Sequence, residues 1–107
     1  MFFLSSIALA ANFGVGDAVS VQNVGALGLN ARDQPSTSGT VLFKKFDGNQ
    51  GSVLSGPTAA NGYTWWKIRW SDGQEGYSAD GDATGVWLTK VFVSPSVKFS
   101  IGNTVQV

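Results

Sequence analysis

A nine-residue segment occurs twice in this chain. Residues 13–21 (FGVGDAVSV) and residues 99–107 (FSIGNTVQV) share Phe, Gly, Asp or Asn, and two valines at the same places, and Val15 is matched by Ile101. A strand that opens one module and then recurs after the length of a small domain is typical of linked or exchanged repeats. We therefore predict one complete module followed by a strand of another. We expect that strand to make its assembly contacts through its alternating side chains, Phe99, Ile101, Val105 and Val107.

The composition favours strands over helices. Fourteen glycines and three prolines are spread among Val, Thr, Phe and Trp, and a hydrophobic content of 43% is enough for a compact core. No stretch shows a sustained apolar period of 3.6 residues, which excludes a long helix. The predicted fold class is all-β, with five to seven short strands and tight turns.

Residues 64–70 (TWWKIRW) carry the clearest strand pattern. Side chains alternate along a strand, so Trp66, Ile68 and Trp70 share one face and Trp65 and its alternate neighbours share the other. The first face predicts a small barrel core, because each buried aromatic ring removes roughly 150–250 Å² from water. The predicted partners in that core are Val19, Val21, Leu29, Leu42 and Val53.

The opposite face is the predicted functional surface. Trp65, Lys67 and Arg69 project from it, and Tyr63 lies in register with them. An outward Trp beside cations is suited to stacking a sugar or a peptide. Packing under a loop and contact with a neighbouring module are the alternatives. Two further aromatic residues are open to the same three interpretations, Tyr77 and Trp87.

Five motifs in order resemble the bacterial SH3 (SH3b) domains. They are FxxGDxVxV, LNARDQPSTSGTVL, GSVLSGP, NGYTWWKIRWSDGQEGYS and VWLTKV. The resemblance implies a barrel of five to seven strands, often repeated in tandem, in an exported bacterial protein that binds the cell wall. Ala31, the pair Asp33-Gln34 and an insertion at residues 80–85 depart from the family pattern. The predicted division is an apolar segment at 1–12, a barrel at 13–93, a linker at 94–98 and an extra strand at 99–107.

Charge and composition argue against several function classes. Seven basic and seven acidic residues give a net charge of zero, so the basic face of a nucleic-acid binder is missing. The sequence has no cysteine or histidine, which removes thiolate and imidazole chemistry. The carboxylate pairs Asp72 with Glu75 and Asp80 with Asp82 lie in glycine-rich turns, where turn formation is the simpler role. We predict no catalytic site, no metal and no cofactor.

The apolar segment at residues 1–11 (MFFLSSIALAA) has two interpretations. It ends in Ala8-Leu9-Ala10, a pattern that a signal peptidase reads, and it also suits a retained docking strand. It is too short for a membrane span, which needs about 20 residues. An extracellular or cell-surface location is expected.

Two functions follow from these patterns. The first is a structural subunit of a surface array or filament, assembled head to tail with copies of itself through terminal strands. The second is a targeting module that binds cell-wall peptide or glycan.

Overall fold

The computed structural model describes residues 13–92, which fold as antiparallel β-structure. The strands are β1 (Ala18–Val21), β2 (Leu29–Arg32), β3 (Val41–Lys45), β4 (Gln50–Ala60), β5 (Tyr63–Trp70), β6 (Glu75–Ala79), β7 (Gly81–Asp82), β8 (Gly85–Val86) and β9 (Leu88–Lys90). One 3-10 turn, Gly25–Leu27, precedes β2. The all-β prediction is confirmed.

Seven of these strands form one sheet, in the order β3-β2-β6-β5-β4-β1-β9. Its centre is the meander β4–β5–β6, in which Val53 lies opposite Ile68 and Ile68 lies opposite Gly76. Among the described residues β3 pairs only with β2 and β9 pairs only with β1, and no closed barrel is detected there. The sheet therefore has two edges, β3 and β9.

The core lies on the face that the alternation of β5 predicts. Trp66, Ile68 and Trp70 are almost completely buried, and Phe13 packs on Trp66 with ring centroids 4.9 Å apart. The predicted core partners Val19, Val21, Leu29 and Val53 are buried as well. Leu88 of β9 completes the same cluster.

The prediction that Leu42 lies in the core is wrong. Leu42 is 52% exposed, because β3 is an edge strand whose inward positions are Phe43 and Lys45. The Lys45 stem packs against the core, while its Nζ binds Asp72 and lies 5.9 Å from the Trp70 ring. A long side chain can bury its stem in this way because its charge is neutralised at the surface.

The predicted strand at residues 86–93 is shorter and interrupted. The backbone N–H groups of Trp87 and Leu88 both donate to the carbonyl oxygen of Asp80, at 2.9 and 3.2 Å. This contact separates β8 from β9 and fixes Trp87 between them. The insertion at residues 80–85 forms the small hairpin β7–β8.

Two terminal segments lie outside the described residues. They are residues 1–12 and 93–107, which include the predicted assembly residues Phe99, Ile101, Val105 and Val107. Within residues 13–92, no helix is long and apolar enough to cross a membrane.

Candidate functional site

A groove of about 270 Å³ opens on the surface of the domain. One side is formed by β2 and the 3-10 turn before it, and the other side is formed by aromatic residues of β5 and of the β8–β9 connection. We call it the aromatic groove. Its lining residues are Asn23, Val24, Leu27, Gly28, Leu29, Asn30, Arg32, Thr37, Tyr63, Trp65, Ala79 and Trp87.

Three aromatic rings form one wall of the aromatic groove. Tyr63 and Trp65 lie two residues apart on β5, so they share a face, and their ring centroids are 5.9 Å apart. The Trp87 ring lies 6.0 Å from Tyr63 at an interplanar angle of 31°. The wall is thus a continuous aromatic surface built from two separate parts of the chain.

Trp65 is the fixed element of this wall. Its side chain is only 3% exposed, and its Nε1 donates a hydrogen bond to the carbonyl oxygen of Ala60 at 2.9 Å. The expectation of an outward, exposed Trp65 is therefore wrong, because the ring is packed within the domain. Tyr63 and Trp87 are half-buried and present the rings that remain accessible.

Asn30 supplies a polar group to the opposite wall. Its backbone carbonyl accepts a hydrogen bond from Ser78 Oγ at 2.8 Å, which fixes β2 against β6. Its side-chain Oδ1 is buried and has no hydrogen-bond partner among residues 13–92. An unsatisfied buried acceptor costs about 1–3 kcal/mol. Rotation about χ2, a soft torsion in Asn, can turn this oxygen toward the groove.

Two buried polar side-chain atoms lack a hydrogen-bond partner in the described region, and only Asn30 Oδ1 belongs to a residue that lines the groove. The other atom is Trp70 Nε1, which belongs to the core and does not line the groove. Asn30 Oδ1 is therefore the unsatisfied acceptor beside the groove, and rotation about χ2 is needed before a ligand N–H can reach it.

Arg32 gives the groove a positive charge. Its Nη1 donates to the carbonyl oxygens of Thr37 and Gly39, at 3.1 and 2.8 Å, which holds the guanidinium beside the turn at residues 33–39. None of the described residues that line the groove carries a carboxylate. The electrostatic preference at this end is for an anionic or neutral ligand.

Asn61 holds the turn at residues 33–39 against the β4–β5 turn. Its Oδ1 accepts hydrogen bonds from Ser36 Oγ and from the backbone N–H of Thr37, both at 3.0 Å. Its φ of 57° lies in the left-handed region, which Asn tolerates better than most residues. At the other side, Asn23 Nδ2 donates to the carbonyl oxygen of Val86 at 2.9 Å. Both ends of the aromatic groove are thus held by asparagine side chains.

The other predicted surface residues do not line the groove. Lys67 lies over the Tyr77 ring at 5.8 Å, across the β5–β6 ladder. Arg69 forms an ion pair with Glu75, which lies directly opposite it on β6, and the distance from Nη2 to Oε2 is 2.7 Å. The predicted surface therefore divides into a groove part, with Tyr63, Trp65 and Trp87, and an outer part, with Lys67, Arg69 and Tyr77.

Asn30 and Arg32 are groove residues that the sequence reasoning missed. They alternate with buried Leu29 and Ala31, so the pattern of β2 does predict that they share the outer face. Their position beside the aromatic wall depends on the pairing of β2 with β6, in which Arg32 lies opposite Tyr77. The local sequence of β2 does not predict that pairing.

The paired carboxylates serve separate partners. A hydrogen bond from Lys45 is the main reason that the pKa of Asp72 is lowered, and Glu75 binds Arg69. Burial raises the pKa of Asp80, which accepts a hydrogen bond from Trp66 Nε1 at 2.9 Å. The hydroxyl of Thr84 lowers the pKa of Asp82 within the β7–β8 hairpin.

In the region from 13 to 92, no group of three or more His, Cys, Asp and Glu side chains is arranged to hold a metal ion. Comparisons with protein-family models, curated proteins and solved structures found no match for this chain. The resemblance to SH3b domains stays a prediction.

Proposed function

We propose that this chain is a non-catalytic binding module whose aromatic groove holds an amide-bearing peptide or glycan of the bacterial cell wall. The observation that carries the proposal is the unpartnered Asn30 Oδ1 beside an aromatic wall. The motifs that resemble SH3b domains and the Ala8-Leu9-Ala10 pattern support an extracellular or surface location for this activity.

The lining residues favour one ligand chemistry. An acceptor without a partner selects a ligand N–H, and the exposed parts of Tyr63 and Trp87 select a flat or apolar surface next to that N–H. A secondary amide with an attached methyl or sugar ring provides both features. Arg32 adds a site for a carboxylate, because its guanidinium forms charge-assisted hydrogen bonds with that group. Acetamido sugars and short peptides share this chemistry.

The expected affinity is modest. A net hydrogen bond contributes about 0.5–1.5 kcal/mol, and each aromatic contact contributes about 0.5–1.5 kcal/mol beyond the area it buries. These small contributions are typical of a module that holds a polymer through many weak contacts in parallel.

The substitution Asn30→Leu tests the proposal, because binding and stability should move in different directions. Replacing an unsatisfied polar group by an apolar one of similar shape is neutral or stabilising for the fold. A bound ligand N–H would lose its acceptor, and we expect about tenfold weaker retention on purified peptidoglycan, equivalent to about 1.4 kcal/mol. Gln34→Leu, which adds the same side chain at an exposed position outside the groove, is the matched control.

Two soluble competitors identify the source of the amide. An N-acetylglucosamine oligomer represents the glycan, and an N-acetylated stem peptide represents the peptide. The proposal is supported if one of the two competitors reduces the retention of the wild type and has a weaker effect on Asn30→Leu. Retention that is equal for the wild type, Asn30→Leu and Gln34→Leu, or that neither competitor reduces, refutes it.

A further inference from the structure

Strand β3 presents an open, apolar edge. Val41 is 40% exposed and Leu42 is 52% exposed, and Phe46 directly after the strand is 44% exposed. Between residues 13 and 92, the backbone of residues 41–45 makes no hydrogen bond outside the ladder with β2. A strand of this kind is a template for pairing with another chain.

The protection of this edge is limited to the exposed Lys44 and to a bulge at Leu42, which has no partner on β2. Exposed lysines commonly guard edge strands, and β3 contains Lys44 and Lys45. Lys44 Nζ donates to the carbonyl oxygen of Leu27 at 3.0 Å, and Lys45 is buried with its Nζ on Asp72. Both ammonium groups are thus held by contacts within the domain, and the end of β3 around Val41 and Leu42 carries no charge.

The repeat of the first strand supplies a chemically suitable occupant. Residues 99–107 contain no charged side chain and alternate Phe99, Ile101, Val105 and Val107 with smaller or polar residues. The position that this sequence would take in its own module is already filled, since β1 pairs with both β4 and β9. The repeated segment therefore needs a different edge, and β3 is longer than β9.

Geometry favours a second copy of the chain as the source of this segment. The strands β9 and β3 are six interstrand spacings apart in the sheet order, roughly 29 Å when measured along the sheet. The seven peptide units from Phe92 to Phe99 reach about 25 Å at most when extended. The linker is therefore too short to run along the sheet from β9 to β3, and docking within one chain would need a shorter path across the sheet.

We propose that the open edge of β3 binds residues 99–107 of a second copy by strand addition. Main-chain hydrogen bonds extend the sheet, and the apolar side chains of the added strand pack beside Val41 and Leu42. The contact joins different surfaces of two identical chains, so it produces rings if the rotation between neighbours closes and open head-to-tail filaments if it does not. No residue of β3 lines the aromatic groove, so this proposal is independent of the binding function.

Engineered disulfides test the contact directly, because the chain contains no cysteine. One sample carries Leu42→Cys, and the other carries Ile101→Cys or Val105→Cys. Two positions are used because the register is open and a disulfide needs Cα atoms about 4.4–6.8 Å apart. After mixing under mild oxidation we expect a covalent heterodimer for at least one pair. Val15→Cys, at an exposed apolar position outside β3, is the matched control and should give none.

The outcomes separate the possible occupants. A heterodimer with Leu42→Cys, combined with loss of oligomers in sedimentation when residues 99–107 are deleted, supports the proposal. A chain that carries both Leu42→Cys and Ile101→Cys or Val105→Cys tests docking within one chain. A monomeric disulfide in that double variant without any heterodimer overturns the proposal, and so does assembly that persists after the deletion. Val41→Lys should disrupt assembly, whereas Val15→Lys should not. Equal assembly of these two lysine variants also overturns the proposal.

Discussion

Replacing Trp65 by alanine distinguishes a structural groove wall from an exposed binding platform. Trp65 is 3% exposed and its indole N–H donates to Ala60. A tryptophan buries up to about 250 Å², which corresponds to about 6 kcal/mol at 25 cal/mol per Å². Because the unfolded chain already buries some of this area, the true value is smaller. Large-to-small changes of buried aromatic residues cost about 3–5 kcal/mol, and we expect about 4 kcal/mol here.

Urea unfolding followed by tryptophan fluorescence measures this loss. With an m-value of about 1 kcal/mol per M for a small domain, a loss of 4 kcal/mol lowers the midpoint by about 4 M. Trp65→Phe keeps an aromatic ring but removes the hydrogen bond to Ala60, so we expect an intermediate loss. A loss below about 1 kcal/mol for Trp65→Ala would mean that the side chain is not packed as described.

Three further variants test other parts of the structure. Gly51→Ala should lower the free energy of unfolding by about 1–3 kcal/mol, because a Cβ there would lie 2.6 Å from Ile68 Cγ2; Ser52→Ala, at an exposed neighbouring position, should have little effect. Asp80→Asn should raise the urea midpoint at pH 7, since burial raises the pKa of Asp80 and the folded state loses stability as the pH rises through that pKa. The difference from the wild type should vanish near pH 3, where the carboxyl is protonated, and a constant difference at all pH values would contradict this cause. Asn61→Ala should cost about 2 kcal/mol, because two hydrogen bonds to its Oδ1 are lost and alanine tolerates its φ poorly; Asn61→Gly should cost less, and the reverse order would contradict the backbone argument.

The core of this domain was predictable where alternation is strong. In β5 the inward positions Trp66, Ile68 and Trp70 follow the two-residue period, and a one-residue slip would expose all of them. Leu42 was assigned to the core from its hydrophobicity, and this assignment is wrong because β3 lies at an edge whose inward positions are Phe43 and Lys45. Hydrophobicity alone does not identify the inward side of an edge strand.

The aromatic groove was predictable only in part. Tyr63, Trp65 and Trp87 stand out in the sequence as large aromatic residues outside the core pattern. The burial of Trp65 and the approach of Asn30 depend on the β2–β6 pairing and on the contact between Asp80 and Trp87. Such long-range contacts cannot be predicted from the local sequence patterns of the residues that they bring together.

The most direct test of groove binding is a titration followed by NMR of the four tryptophan indole N–H groups. Trp65 and Trp87 line the aromatic groove, whereas Trp66 and Trp70 belong to the core and serve as internal controls. Added N-acetylglucosamine oligomer or N-acetylated stem peptide should shift the Trp65 and Trp87 resonances and leave the other two in place. The proposal that this groove is the binding site would be contradicted if saturation with both ligands moved no indole resonance. It would also be contradicted if only the resonances of Trp66 and Trp70 moved.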